Sequence, residues 1–197
     1  MDHSYNNRAG QILNAFTFEQ MDRIRSACNA LSQAPKTQDY GPEYVNGFVE
    51  GDGIYPIIRN NIIVPLTRYF GRPLTLDYGL LMNSHRPLGI HTNVKDNSDV
   101  TILVPLHPTN PEKTYTSTVI FNQQKLEEVI TPNCVDLKDS LLSHETEDNL
   151  SRVSLLDIYN WHHNSAIYWN TRFLHASDNY LVNGVDGKSA LILFTRK

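Results

Sequence analysis

Cysteine is scarce: Cys28 and Cys134 are the only two in a chain of 197 residues. Two cannot build a disulfide framework, so both are expected as buried, reduced thiols. Long apolar runs are missing as well, and none approaches the ~20 residues that a membrane-spanning helix needs. The opening stretch MDHSYNNRAG is polar and has no secretory h-region, which makes a reducing, cytoplasmic setting the default expectation. There is no excess of positive charge. Lysine and arginine number 17 against 21 acids, for a net charge of −4, which counts against a nucleic-acid partner. Repeats and low-complexity tracts are absent. What remains is ordinary for a folded protein, with 40% apolar and 19% charged residues. A single domain over residues 1–197 is the simplest organisation.

The N-terminal part, residues 1–72, reads as helical after a lead-in over residues 1–16. Thr17 and Gln20 fit a capping box. Phe18, Met21, Ile24, Cys28 and Leu31 then recur at spacings of three and four, which marks one apolar helix face ending before Pro35. Residues 36–53 read mostly as loop, with a helical turn around Glu43 to Val49. A second helix is expected from Tyr55 to Phe70. Pro56 suits its first turn and Gly71 its C-terminal cap, and Pro65 predicts a kink near Asn61 to Val64.

From Pro73 the pattern changes to short β-branched and aromatic runs between Pro, Gly, Asn and Asp. The strand candidates are Thr75–Asn83, Gly89–Thr92, Val100–Pro105, Thr116–Asn122, Ala166–Trp169, Phe173–Ala176 and Ser189–Thr195. Several strands after two helices, without βαβ alternation, predict a mainly β protein. The expected form is an antiparallel sandwich or jelly roll with helices on one face. The acidic stretch from Asp136 to Leu156 reads as a helical insertion lying over the mouth of the barrel as a lid.

Eight histidines occur, and two stand apart. His91, in GIHTNVKDNSDVTILVPL, and His175, in AIYWNTRFLHASDNY, each lie where a polar turn meets an apolar strand. They are 84 residues apart. A Gly-rich connection, Asn183 to Gly187, then leads to a last strand headed by Lys188. Two histidines and a cation on neighbouring strands suggest a barrel mouth that holds a metal and an acid. Trp161 and Trp169 read as core packing.

These blocks, in this order, resemble the iron(II)- and 2-oxoglutarate-dependent oxygenases, in particular small prolyl-hydroxylase-like members with a double-stranded β-helix. GIHTNVKDNSDVTILVPL is similar to the family's first metal block, TSTVIFNQ to the strand after it, and AIYWNTRFLHASDNY to the distal block. GKSALILFT is similar to the last strand. The resemblance covers residues 73–197 and implies a jelly-roll or cupin-like double-stranded β-helix buttressed by the N-terminal helices. It implies Fe(II) held by His91 and His175, with Asn93 in the position of the third ligand. It further implies 2-oxoglutarate as cosubstrate with its far carboxylate on Lys188, and hydroxylation of a small-molecule or peptidyl substrate. Asn83 and Tyr78 are candidate donors to that acid. Ser177 shares the face of His175, and Arg172 lies at the rim as a candidate anchor for an anionic substrate.

One position departs from the family's pattern, which puts a carboxylate where this chain has Asn93. An amide oxygen offers a dipole where a carboxylate offers charge, so the metal is held less tightly. Three arrangements are open. Asn93 ligates weakly or yields to water or halide, Asp96 or Asp99 swings in, or the site carries no metal. The rival functions follow from these. One is a degenerate binding or structural module of the same fold. The other is a cupin-type metalloenzyme using His85 or His107 with His91 and no cosubstrate.

Overall fold

The structure, a computed structural model, describes residues 9–36, 42–93, 98–106, 116–127 and 133–196. The first long element is helix α1, Phe18–Gln33, and the capping box at its start is present. Thr17 accepts from the Gln20 amide at 3.2 Å, and the Gln20 side chain accepts from the Thr17 amide at 2.8 Å. Its buried face is Met21, Ile24, Ala27 and Cys28. Phe18 does not belong to that face. It is exposed and leans on the ring of His163. The second helical stretch is split, as Pro65 requires. Helix α2, Tyr55–Ile58, passes into a π-helical turn at Arg59–Ile63 and then into α3, Val64–Phe70. A proline in the fourth-residue ladder removes one donor and crowds a carbonyl, and a wider turn relieves both. Gly71 caps the helix in the left-handed region, φ 64°, where a side chain would be strained.

The helices cover one face of a six-stranded antiparallel sheet, in the order β1-β7-β4-β9-β3-β2. Its strands are β1 (Ala9–Ile12), β2 (Tyr44–Phe48), β3 (Thr75–Ser84), β4 (Val100–Pro105), β7 (Ala166–Asn170) and β9 (Lys188–Arg196). A second sheet, ordered β6-β5-β8, faces it. It is made of β5 (Ser117–Phe121), β6 (Leu155–Asn160) and β8 (His175–Ser177). Strands β4 and β9 are buried on both faces, since helices lie on one side and the second sheet on the other. This is why they read as continuous apolar runs rather than as alternation.

Three apolar layers result. Leu81, Val104, Leu191 and Leu193 pack against Met21, Ile24 and Ile62 on the helix side. Leu80, Met82, Leu103, Trp161, Trp169 and Ile192 fill the space between the sheets. Outside the second sheet, Val119, Phe121 and Ala176 meet Cys134, Leu142, Leu150 and Val153. Both cysteines are free and buried, and burial pushes the thiols up to about 12 for Cys28 and about 11 for Cys134. The expected helix-buttressed double-stranded β-helix is therefore found. Among the described residues no helix is long and apolar enough to cross a membrane.

Several local expectations are corrected. Residues 44–48 are an edge strand, not a helical turn. Their backbone groups pair with β3 through a bulge between Tyr44 and Asn46. The lead-in contains β1, paired with β7. The insertion is not one helix. It holds a 3₁₀ turn, Val135–Asp139, and the short helix α4, Glu147–Ser151. Its apolar residues are spent on the outer face of the second sheet, and Leu155 and Leu156 already belong to β6. Gly89–Thr92 is no full strand, because the one bridge there is His91 with His175.

Candidate active site

That isolated bridge builds the centre of the site. The His91 amide donates to the His175 carbonyl at 3.0 Å, and the His175 amide donates to the His91 carbonyl at 2.9 Å. The two imidazoles therefore leave the backbone at facing positions, with ring centroids 4.3 Å apart. Each ring is oriented by a main-chain oxygen. His91 Nδ1 lies 2.6 Å from the Gly89 carbonyl, and His175 Nδ1 lies 3.0 Å from the Phe173 carbonyl. A carbonyl can only accept, so in each neutral ring Nδ1 carries the proton and Nε2 keeps its lone pair. Both rings are held toward the neutral form. Burial lowers His91, opposed by the Gly89 carbonyl and by Glu145 and Glu43. Burial and the neighbouring His91 take His175 well below its ordinary value, against the Phe173 carbonyl. Two neutral imidazoles whose Nε2 atoms keep their lone pairs have the chemistry that could ligate a metal.

Asn93 completes the group. Its Nδ2 lies 3.0 Å from His175 Nε2, so its amide stands against the ring atom that a metal would use. Among the described residues no cluster of three or more His, Cys, Asp and Glu could hold a metal ion. Asp99 does not join the histidines. Its amide donates to the Thr195 carbonyl at 2.7 Å, and its carbonyl accepts from the Thr171 amide. This fixes it to the large sheet, and it does not line the cavity. Asp96 and His107 lie outside the described residues. His85 is exposed, with Nδ1 3.3 Å from the Asp186 carbonyl, and takes no part.

The histidines open onto a small pocket, part of it open to solvent. Tyr44, Met82, Leu103, Trp161 and Trp169 wall it. Lys188 lies in the same cavity and is 3% exposed. Its Nζ is 3.4 Å from Thr116 Oγ1, 3.5 Å from the Ser117 carbonyl and 3.9 Å from Asp178 Oδ1. The rings of Trp161 and Tyr180 stand 4.5 and 5.0 Å from the ammonium, close enough for cation–π attraction. Burial brings the Lys188 ammonium down to about 8, with Asp178 opposing the fall. Asp178 is itself pushed up by burial, against Lys188, Ser117 and Thr116. At neutral pH the lysine keeps its charge.

The remaining candidates divide. Ser177 lines the cavity, but its hydroxyl is engaged by Leu88, accepting from that amide at 2.5 Å. Asn83 is exposed on the helix side of β3, where its Oδ1 accepts from Ser189 at 2.9 Å. Tyr78 stacks on Phe194 at 4.3 Å and does not line the cavity. Arg172 is an exposed turn residue, away from the cavity lining.

Sequence reasoning passed over Asp178, the lysine's counter-ion, and Glu145. Glu145 belongs to the insertion, and its carboxylate accepts from the Ile90 amide, one residue before His91, and from Asn149 Nδ2. A Cβ at Gly89 would come within 2.8 Å of Glu145 Oε1, so the carboxylate depends on that glycine. A buried acid far along the chain gives no sequence signal for such a contact.

No protein-family model and no curated protein matches this sequence. Solved structures do resemble it. One is a non-heme alpha-ketoglutarate-dependent carbocyclase from nogalamycin biosynthesis, with TM-score 0.61 and 11% identity, covering 98% of this chain and 80% of that one. A Pseudomonas putida prolyl-4-hydroxylase has TM-score 0.52 and 7% identity, covering 96% and 92%. A Streptomyces hygroscopicus protein with nickel and 2-oxoglutarate bound has TM-score 0.55 and 14% identity, covering 97% and 83%. At such identities the likeness is one of fold. The chain has the double-stranded β-helix found in 2-oxoglutarate/Fe(II)-dependent oxygenases.

Proposed function

We propose that this chain is an Fe(II)/2-oxoglutarate-dependent oxygenase that hydroxylates a small-molecule or peptidyl substrate. The observation that carries this reading is the pair of Nε2 lone pairs on His91 and His175, bridged through the main chain at a cavity that also holds Lys188. Among the described residues Lys188 is the one lysine or arginine that is fully buried. A far carboxylate of an oxo acid needs such a fixed cation, because an unpaired buried charge is costly.

The donor set fits a ferrous ion, with one reservation built into the chemistry. His91 and His175 would hold it through Nε2. Asn93 would serve as third donor by turning its amide so that Oδ1 faces inward. When bound, iron with 2-oxoglutarate and oxygen supplies the oxidant for C–H hydroxylation, with release of carbon dioxide and succinate. The chain's own residues do the rest. Lys188 fixes one end of the acid, Trp161 and Trp169 exclude water, and Glu145 steadies the segment that carries His91. All three metal donors are neutral, so the negative charge at the metal comes from the acid.

One observation favours a second reading, a metal-poor binding module. Asn93 Nδ2 faces His175 Nε2 and caps the lone pair a metal would use. A single experiment separates the two. Under anaerobic conditions, ferrous iron plus 2-oxoglutarate gives the visible charge-transfer band of the chelate if the oxygenase reading holds. No band at millimolar ligand overturns that reading in favour of the binding module.

A further inference from the structure

Trp169 stands in β7 in the cavity wall, with its ring centroid 4.8 Å from that of His175. It is 1% exposed, and among the described residues its Nε1–H has no hydrogen-bond partner. An indole nitrogen donates and does not accept, and buried donors in native proteins are almost always paired. The chain's other tryptophan shows the ordinary solution. Trp161, in the same wall and 2% exposed, donates to Thr118 Oγ1 at 2.9 Å. Trp169 finds no such acceptor nearby. His175 Nδ1 is occupied by the Phe173 carbonyl, and Nε2 by Asn93. A phenylalanine could supply an apolar ring here without an orphaned group. An unpaired indole N–H on a residue of the cavity wall is satisfied once something with a lone pair reaches it.

We propose that Trp169 Nε1–H is a ligand-binding donor, taken up by an oxygen of the bound oxo acid at the histidine end of the cavity. This rests on the oxygenase reading. The acid is then gripped at two chemically distinct places. Lys188 contributes charge at one, and Trp169 contributes a rigid, uncharged donor at the other. Such a donor fixes the rotation of the acid's carboxylate or 2-oxo group without altering the charge beside the histidines. It favours ligands that carry an acceptor oxygen at that end.

With two tryptophans in the chain, ¹⁵N–¹H correlation spectra show two indole signals. Zinc stands in for iron because it is diamagnetic. When 2-oxoglutarate is added to the zinc-loaded protein, the Trp169 indole signal moves downfield, while that of Trp161, already bonded to Thr118, moves much less. Trp169→Phe identifies the signal by deleting it. By calorimetry that variant binds 2-oxoglutarate about tenfold more weakly, equal to about 1.4 kcal/mol. Its urea midpoint without ligand is unchanged or higher, because no partner has been lost. Should Trp169→Phe fail to fold, Trp161→Phe identifies the two signals instead, and the wild-type shift decides. An unmoved Trp169 signal in a protein that binds the acid overturns the inference and leaves the oxygenase reading standing, as does equal affinity in the variant. No binding of 2-oxoglutarate by the zinc-loaded wild type removes both.

Discussion

Replacing the Lys188–Asp178 pair with the isosteric neutral pair of K188M/D178N probes the electrostatics of the cavity directly. Both side chains are 2% exposed, and their charges lie 3.9 Å apart. Attraction at that distance is about 4 kcal/mol at an effective dielectric of ~20, but burial of the ammonium outweighs it. Lys188 falls from 10.5 to about 8, so between these values the unfolded chain binds more protons than the folded one. Stability therefore rises with pH across that window, and the lysine's destabilising contribution is complete below it. Between pH 8 and 9 the gain from Lys188 is ~1 kcal/mol by this linkage. The two buried thiols act in the opposite direction. Their folded values lie above the ordinary 9.0, and together they remove ~0.7 kcal/mol over the same interval. The wild-type slope is thus nearly flat, and the effect is read as a difference between proteins. Urea unfolding of ligand-free protein should give K188M/D178N a stability that falls by ~0.7 kcal/mol from pH 8 to 9, while the wild type holds level. At neutral pH the double variant should equal or exceed the wild type, since neutral replacements for a buried ion pair are often stabilising. Parallel slopes for the two proteins would refute the account, because they would mean that burial does not hold down the Lys188 proton.

Two further substitutions test the histidine end. Asn93→Asp adds a charged oxygen within reach of His175 Nε2 and should tighten Zn(II) or Mn(II) binding by about 10- to 100-fold in calorimetry; unchanged affinity would place Asn93 outside the metal's shell. Glu145→Ala leaves the Ile90 amide without its acceptor and should cost ~1–3 kcal/mol in urea unfolding. Glu145→Gln keeps an acceptor oxygen and should lose less; equal losses in the two variants would show that the contact to Ile90 is not what stabilises the segment.

The strands that were legible are those whose side chains alone decide their fate. Val100–Pro105, Ala166–Asn170 and Lys188–Arg196 are apolar on both faces and bounded by turn residues, and no helix competes for them. The missed strands are edges. In β2 the Asn46-Gly47 dipeptide signals a turn locally, but pairing with β3 through a bulge overrides it. In β6 most residues are exposed or half-buried, so no alternation marks an inner face. That His91, His175 and Lys188 share one pocket was legible, because a polar residue heading an apolar strand is an anomaly in one dimension. Asn83 shows where that logic stops. The ladder pairs Ser84 with Lys188 and Asn83 with Ser189, so Asn83 is one residue out of phase and points to the helix side. Register of that kind follows from pairing between distant strands, which residue types alone do not specify. Tyr78 is in phase with Leu80, Met82 and Ser84, but it lies too far along the strand from the Lys188 pairing and packs on Phe194 instead. The orphaned indole of Trp169 depends on which acceptors its neighbours have left over, a property of the assembled cavity.

The reciprocal main-chain bonds between His91 and His175 make their separation a dimension of the sheet rather than an outcome of two side-chain rotamers. A chelator can strip an ion from such a pair and leave the vacated donors aligned, so reloading requires no search by the chain. The amide protons of these two residues, each shielded by the other's carbonyl, should exchange slowly with solvent whether or not an ion is present. If a metal binds there, this cross-tie would let it leave and return without loosening the strands around it.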